Sequence, residues 1–70
     1  MDRNAIRSKK IGTRRLTLLD VSPNRVGGIL QFIIRDDRGD GGVFESICYE
    51  ENIANRVFDN MVRMVEHGKA

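Results

Sequence analysis

The chain has 70 residues, 40% of them hydrophobic and 31% charged, with a net charge of +2, so it forms one domain in which folding hides only about 60% of the unfolded surface. Domains of this size draw on disulfides, a metal or a second subunit for support; one cysteine and one histidine leave no internal disulfide and no four-ligand zinc site within these residues, so a second subunit is the expected support. No apolar run approaches the ~18 residues that span a bilayer, no apolar leader opens the sequence, and the lone Cys48 fits a reducing, cytoplasmic setting.

The charge is unevenly placed. Residues 1–15 hold Arg3, Arg7, Lys9, Lys10, Arg14 and Arg15 against Asp2 alone, a surplus of five, whereas residues 16–70 hold six basic residues against nine acidic ones. Beyond Ala5, Ile6 and Ile11 the leader has little apolar content before Gly12, and such a composition does not bury enough to order itself. Residues 1–13 therefore read as a flexible basic arm and residues 14–70 as a single α+β domain.

Arg14–Ser22, rich in Leu, Val and Thr, reads as the first strand and is closed by the turn residues Pro23, Asn24, Gly27 and Gly28. Ile29–Arg35 is a dense β-branched and aromatic run, and Val43–Tyr49 again favours the extended state. The seven residues between them, Asp36–Gly42, contain an Asp40-Gly41 turn pair and predict an antiparallel hairpin. From Glu50 the period changes: Ile53, Val57, Phe58, Met61, Met64 and Val65 follow helical spacing, with Glu50 and Glu51 at the favourable start and His67-Gly68 at the stop. The expected fold is thus a three-stranded antiparallel β-meander with one C-terminal amphipathic helix packed on one face.

A single helix covers one face of such a sheet. The other face carries Ile29, Ile33, Ile47 and Tyr49, and an exposed apolar patch of this kind marks a contact surface. Together with the small core, these four residues predict a homodimer interface.

Chemistry is sparse. Triad catalysis needs a nucleophile, a base and an orienting group held together, and the lone His67 stands at the frayed end of the helix. Cys48 lies on a strand, where a free cysteine serves as a small buried hydrophobe. The stretch Asp36–Gly42 fits a calcium loop at Asp36, Asp40 and Gly41 but has Arg38 and Ile47 where carboxyl ligands belong, so it reads as a polar hairpin tip. The Arg38-Gly39-Asp40 triplet has no further support as an adhesion motif. No enzyme, cofactor or metal is expected.

The basic arm has a mechanism. Six cations over Arg3, Arg7, Lys9, Lys10, Arg14 and Arg15 are suited to displacing counterions from a DNA or RNA phosphate backbone, with log affinity falling against log salt at a slope of roughly −4 to −5 if all engage. A basic leader, an antiparallel meander and a C-terminal amphipathic helix resemble the small dimeric transcriptional-coactivator domains that bind single-stranded DNA, with one strand fewer and without their basic sheet face. The resemblance implies a nucleic-acid-binding homodimer. The competing expectation is a small inhibitor or adaptor of the phage or mobile-element type, contacting a protein partner through the acidic tip Asp36–Asp40 and the exposed sheet face.

Overall fold

The computed structural model describes residues 5–22 and 29–68. In chain order it has β1 (Ala5–Ile11), β2 (Arg14–Asp20), β3 (Phe32–Asp37), a 3-10 turn (Gly39–Gly41), β4 (Val43–Cys48) and α1 (Glu51–Glu66). The strands make one antiparallel sheet in the order β1-β2-β3-β4, and α1 packs on one face of it. The α+β class, the meander and the C-terminal helix agree with the sequence expectation.

The strand count does not. Among the described residues four strands are present where three are expected, because the segment read as a flexible arm supplies β1 over Ala5–Ile11. Composition misleads here because β1 borrows its stability. Its backbone pairs with β2 from Ala5↔Leu19 to Ile11↔Arg14, Ile11 packs against the core, and the guanidinium of Arg7 lies 4.6 Å from the ring centroid of Phe58 on α1. Gly12, at φ 62°, allows the two-residue reversal Gly12-Thr13 that holds β1 against β2. Residues 1–4 of the expected arm, with Arg3, and the turn at 23–28 lie outside the described residues.

The boundaries of β3 also shift. The strand begins at Phe32, and Ile29 and Leu30 are exposed before it. The N–H of Gln31 is taken by Ser22 Oγ at 2.9 Å and its carbonyl accepts from Val21 N–H at 2.9 Å. Ser22 N–H in turn donates to Asp20 Oδ1 at 3.0 Å. Side-chain oxygens thus close the β2–β3 connection where a regular ladder would have run on.

Strand alternation separates the sheet into two faces. Leu16 and Leu18 from β2 and Phe32 and Ile34 from β3 form the core with Ala54 and Phe58 of α1, all buried. Val57, Met61, Val62 and Val65 pack around them. Burying side chains of this size stabilises the fold by about 1.5–3 kcal/mol each. Two residues of the expected helical stripe miss this core: Ile53 and Met64 are exposed, and Ala54 and Val62 take their place. The stripe was drawn through the largest apolar residues, whereas the sheet selects the flank centred on Phe58, where small Ala54 permits close approach.

Candidate nucleic-acid interface

Five of the six cations expected to meet phosphate lie among the described residues, Arg3 lying outside them, and the five meet different neighbours. Arg7 is committed to α1: one guanidinium nitrogen donates to Asp59 Oδ1 at 2.7 Å and another to Asn55 Oδ1 at 3.2 Å. The hydrogen bond from Arg7 holds the Asp59 carboxyl below its ordinary range, against a weaker opposing effect of desolvation. Arg14 is committed to β3, donating to Asp36 at 2.6 Å. Lys9 Nζ stands 4.0 Å from Glu66 on the last turn of α1, with both side chains half exposed.

Lys10 and Arg15 are placed differently. They are Cα partners across the β1–β2 ribbon, on the face opposite α1, and neither carries an ion pair among the described residues. Beyond Arg15 the same row continues to Asp37 on β3, whose carboxylate accepts the Gly39 N–H at 2.9 Å. The next row holds Ser8, Thr17, Arg35 and Glu45, with Arg35 bonded to Glu45 at 2.9 Å. A basic ribbon end, with Lys9 on one face and Lys10 and Arg15 on the other, is what the fold leaves of the expected arm.

Of the expected tip Asp36–Gly42, Asp36 and Asp37 belong to β3, and the three aspartates differ in burial: Asp37 and Asp40 are exposed and Asp36 is not. Asp36 is the last inward residue of β3, only 1% exposed, and it accepts from Arg14 and, at 2.9 Å, from Arg38. Burial pushes its carboxyl up, but the hydrogen bonds and charges of the two arginines outweigh burial and hold it below the ordinary carboxylate range. The meander brings this tip beside the β1–β2 turn, where a Cβ added to Gly39 would lie 3.8 Å from the Thr13 carbonyl oxygen. Sequence separation concealed that neighbourhood: the basic β1–β2 turn and the acidic segment share one end of the sheet, and Arg14–Asp36 is the joint between them.

Of the expected interface residues, Ile47 and Tyr49 are exposed on or just beyond β4, and Ile33 is half buried beside Ile47. Ile29 is exposed but lies before β3 begins. The sequence reading missed Val43, Phe44, Ile53 and Met64, all of them exposed. An edge position would have flagged the first two, but which strand is an edge depends on topology.

Cys48 is half buried against the core and His67 is exposed at the end of α1. Among the described residues no group of three or more His, Cys, Asp or Glu side chains is placed to hold a metal ion, and no helix is long and apolar enough to cross a membrane. Two shallow depressions of about 310 Å³ flank α1, one lined by Asn60, Arg63, Met64 and His67 and the other by Arg7, Lys9, Phe58 and Glu66 among others. No family model matches the chain, and neither a curated protein nor a solved structure matches it.

Proposed function

We propose that the chain is a small non-enzymatic nucleic-acid-binding protein that works as a homodimer and contacts phosphates through the basic end of its β1–β2 ribbon. The observation that carries this reading is the pairing of Lys10 with Arg15. The two-residue turn makes Ile11↔Arg14 the closing hydrogen-bonded pair, so Lys10↔Arg15 is the next, non-hydrogen-bonded pair, in which side chains stand closest. Like charges directly opposite on a sheet are destabilising, and a bound anion between them removes that penalty.

Lys9 on the other face of the ribbon adds a third cation, its contact with Glu66 being long and solvent-exposed. Arg7 and Arg14 serve by fixing the ribbon in place: the first ties β1 to α1 and the second ties β2 to β3. Three engaged cations per chain give log affinity a slope against log salt of about −2 to −3. That is shallower than the slope expected of a six-cation arm.

The test is binding of labelled single- and double-stranded oligonucleotides over a salt series. The full chain is compared with the double substitution Lys10→Glu, Arg15→Glu. Binding at low salt that weakens at least tenfold in the variant, with a shallower salt slope, supports the reading. Absence of binding at low salt, or equal binding by the variant, overturns it.

A further inference from the structure

The exposed apolar residues are not scattered. Among the described residues Val43, Phe44, Ile47 and Tyr49 are 55%, 53%, 52% and 62% exposed, and all four lie on or directly after β4, the last strand of the sheet. No residue of β4 is buried. On the helix, Asn55, Asp59 and Glu66 reach β1, and the 100° step per residue puts the exposed Ile53 and Met64 on the opposite flank, the β4 side. A strand with both faces apolar and one edge unpaired is a template for another strand.

The backbone of that edge is open in a defined pattern. The Arg38 N–H donates to the Gly42 carbonyl at 2.9 Å, and the β3–β4 register runs unbroken from there. Alternation then turns the polar groups of Phe44, Ser46 and Cys48 toward β3, and those of Val43, Glu45 and Ile47 toward the free edge. The other edge, β1, carries Lys9, Lys10 and a bulge between Ala5 and Arg7. Those features block a strand from pairing there. A head-to-tail β4-to-β1 contact, which would grow a filament, is thereby disfavoured, and a closed β4-to-β4 contact is left.

We infer that β4 pairs antiparallel with β4 of a second copy of this chain about a two-fold axis at Ser46, joining two four-stranded sheets into one. A two-fold axis normal to the sheet sets residues of the same face opposite each other. Two registers overlap most of the strand: one centred on Glu45 opposes two carboxylates, and one centred on Ser46 does not. In the second, Phe44 meets the small Cys48 of its mate, Val43 meets Tyr49, and Glu45 meets Ile47. Glu45 is the strand's one charge and is already neutralised by Arg35 of its own chain at 2.9 Å.

This pairing rests on the homodimer part of the proposed function and is independent of nucleic-acid binding. Its test uses the full chain in two parts. Sedimentation reads the mass of the native protein, with twice 8.0 kDa expected, and Ile47→Glu, which sets a carboxylate opposite Glu45 of the mate, raises the dimer dissociation constant about tenfold or more. In a Cys48→Ser background, Ser46→Cys forms an intermolecular disulfide on air oxidation, since opposed non-hydrogen-bonded residues have Cα atoms about 4.5 Å apart; Lys10→Cys in the same background does not. A native mass of 8.0 kDa at high micromolar concentration overturns both the homodimer and the pairing. A dimer indifferent to Ile47→Glu and not cross-linked through Ser46→Cys leaves the homodimer standing and overturns the β4 edge as its interface. A dimer weakened by Ile47→Glu but not cross-linked overturns the Ser46-centred register.

Discussion

The two edges of this sheet are built to opposite rules. β1 is short of apolar side chains, bulged between Ala5 and Arg7, and studded with Arg7, Lys9 and Lys10, so its outer edge repels a further strand. β4 has Val43, Phe44, Ile47 and, just beyond it, Tyr49 exposed, and a single charge, Glu45, answered from within the chain. The difference teaches that exposure alone does not define a contact surface. Both edges are open to solvent, but β1 is stabilised by polar contacts to its own helix and β4 is left with apolar surface that water does not satisfy.

The two edges are coupled by one buried carboxylate. Asp36 accepts from Arg14 on the β1–β2 side and from Arg38 on the β4 side, and the guanidinium of Arg38 in turn lies 4.6 Å from the centroid of Phe44. Removing one partner of a buried pair is far more costly than the pair is worth. Because Arg14 and Arg38 keep access to solvent, the substitution Asp36→Asn is expected to lower stability by about 2–3 kcal/mol in a denaturant titration, the largest effect of those considered. A loss below about 1 kcal/mol would show that the two hairpins do not depend on this joint.

The sign of the pH dependence follows from the same group. The folded carboxyl of Asp36 is held below its ordinary value, so its contribution is complete above the unfolded value of about 3.9 and is lost as pH falls through the folded one. Stability of the native chain should decline on acidification below about pH 4. The Asp36→Asn curve should decline less over that window, and parallel curves would assign the acid sensitivity elsewhere.

A smaller effect distinguishes the edges more directly. Arg7→Ala removes the stacking on Phe58, worth about 0.5–1 kcal/mol at a partly exposed site, together with the solvent-screened contacts to Asp59 and Asn55. Hydrogen exchange should report the loss in the amides of β1 and leave those of β4 unchanged. Equal loosening of both strands would mean that the sheet responds as a unit and that β1 has no separate anchor.

The smallest expected change is Lys10→Ser. It relieves the like-charge opposition with Arg15 and touches nothing buried, so thermal stability should move by no more than about 0.5 kcal/mol, and upward if at all. A clear destabilisation would show that Lys10 has a structural role and would withdraw it from the basic ribbon as a phosphate contact.

Much of the fold was legible in particular residues. The run Ile29–Arg35 and the change to helical spacing after Glu50 announced a strand and a helix, whereas Gly12, read as the end of a flexible arm, reverses the chain between two strands at φ 62°. The candidate site was legible as a set of residue types but not as an arrangement. Arg7 and Arg14 look like Lys10 and Arg15 in the sequence, and only the partners Asp59 and Asp36, 52 and 22 positions away, separate the tied cations from the available ones. The same holds for the acidic tip, where Asp36 and Asp40 look alike but the first is buried between two arginines and the second is exposed.

The sequence by itself determined the local matters: which segments favour extended backbone, where the helix runs, where glycine permits a turn, and that no segment carries a familiar catalytic pattern. These follow from each residue's own sterics and the spacing of its near neighbours. The tertiary structure decided that a charged leader becomes an edge strand, because a neighbouring ladder and the ring of Phe58 supply what its composition lacks. It also decided which flank of α1 is buried, which of the described cations are held in ion pairs, and which strand ends the sheet. Those outcomes depend on contacts between residues far apart in the chain.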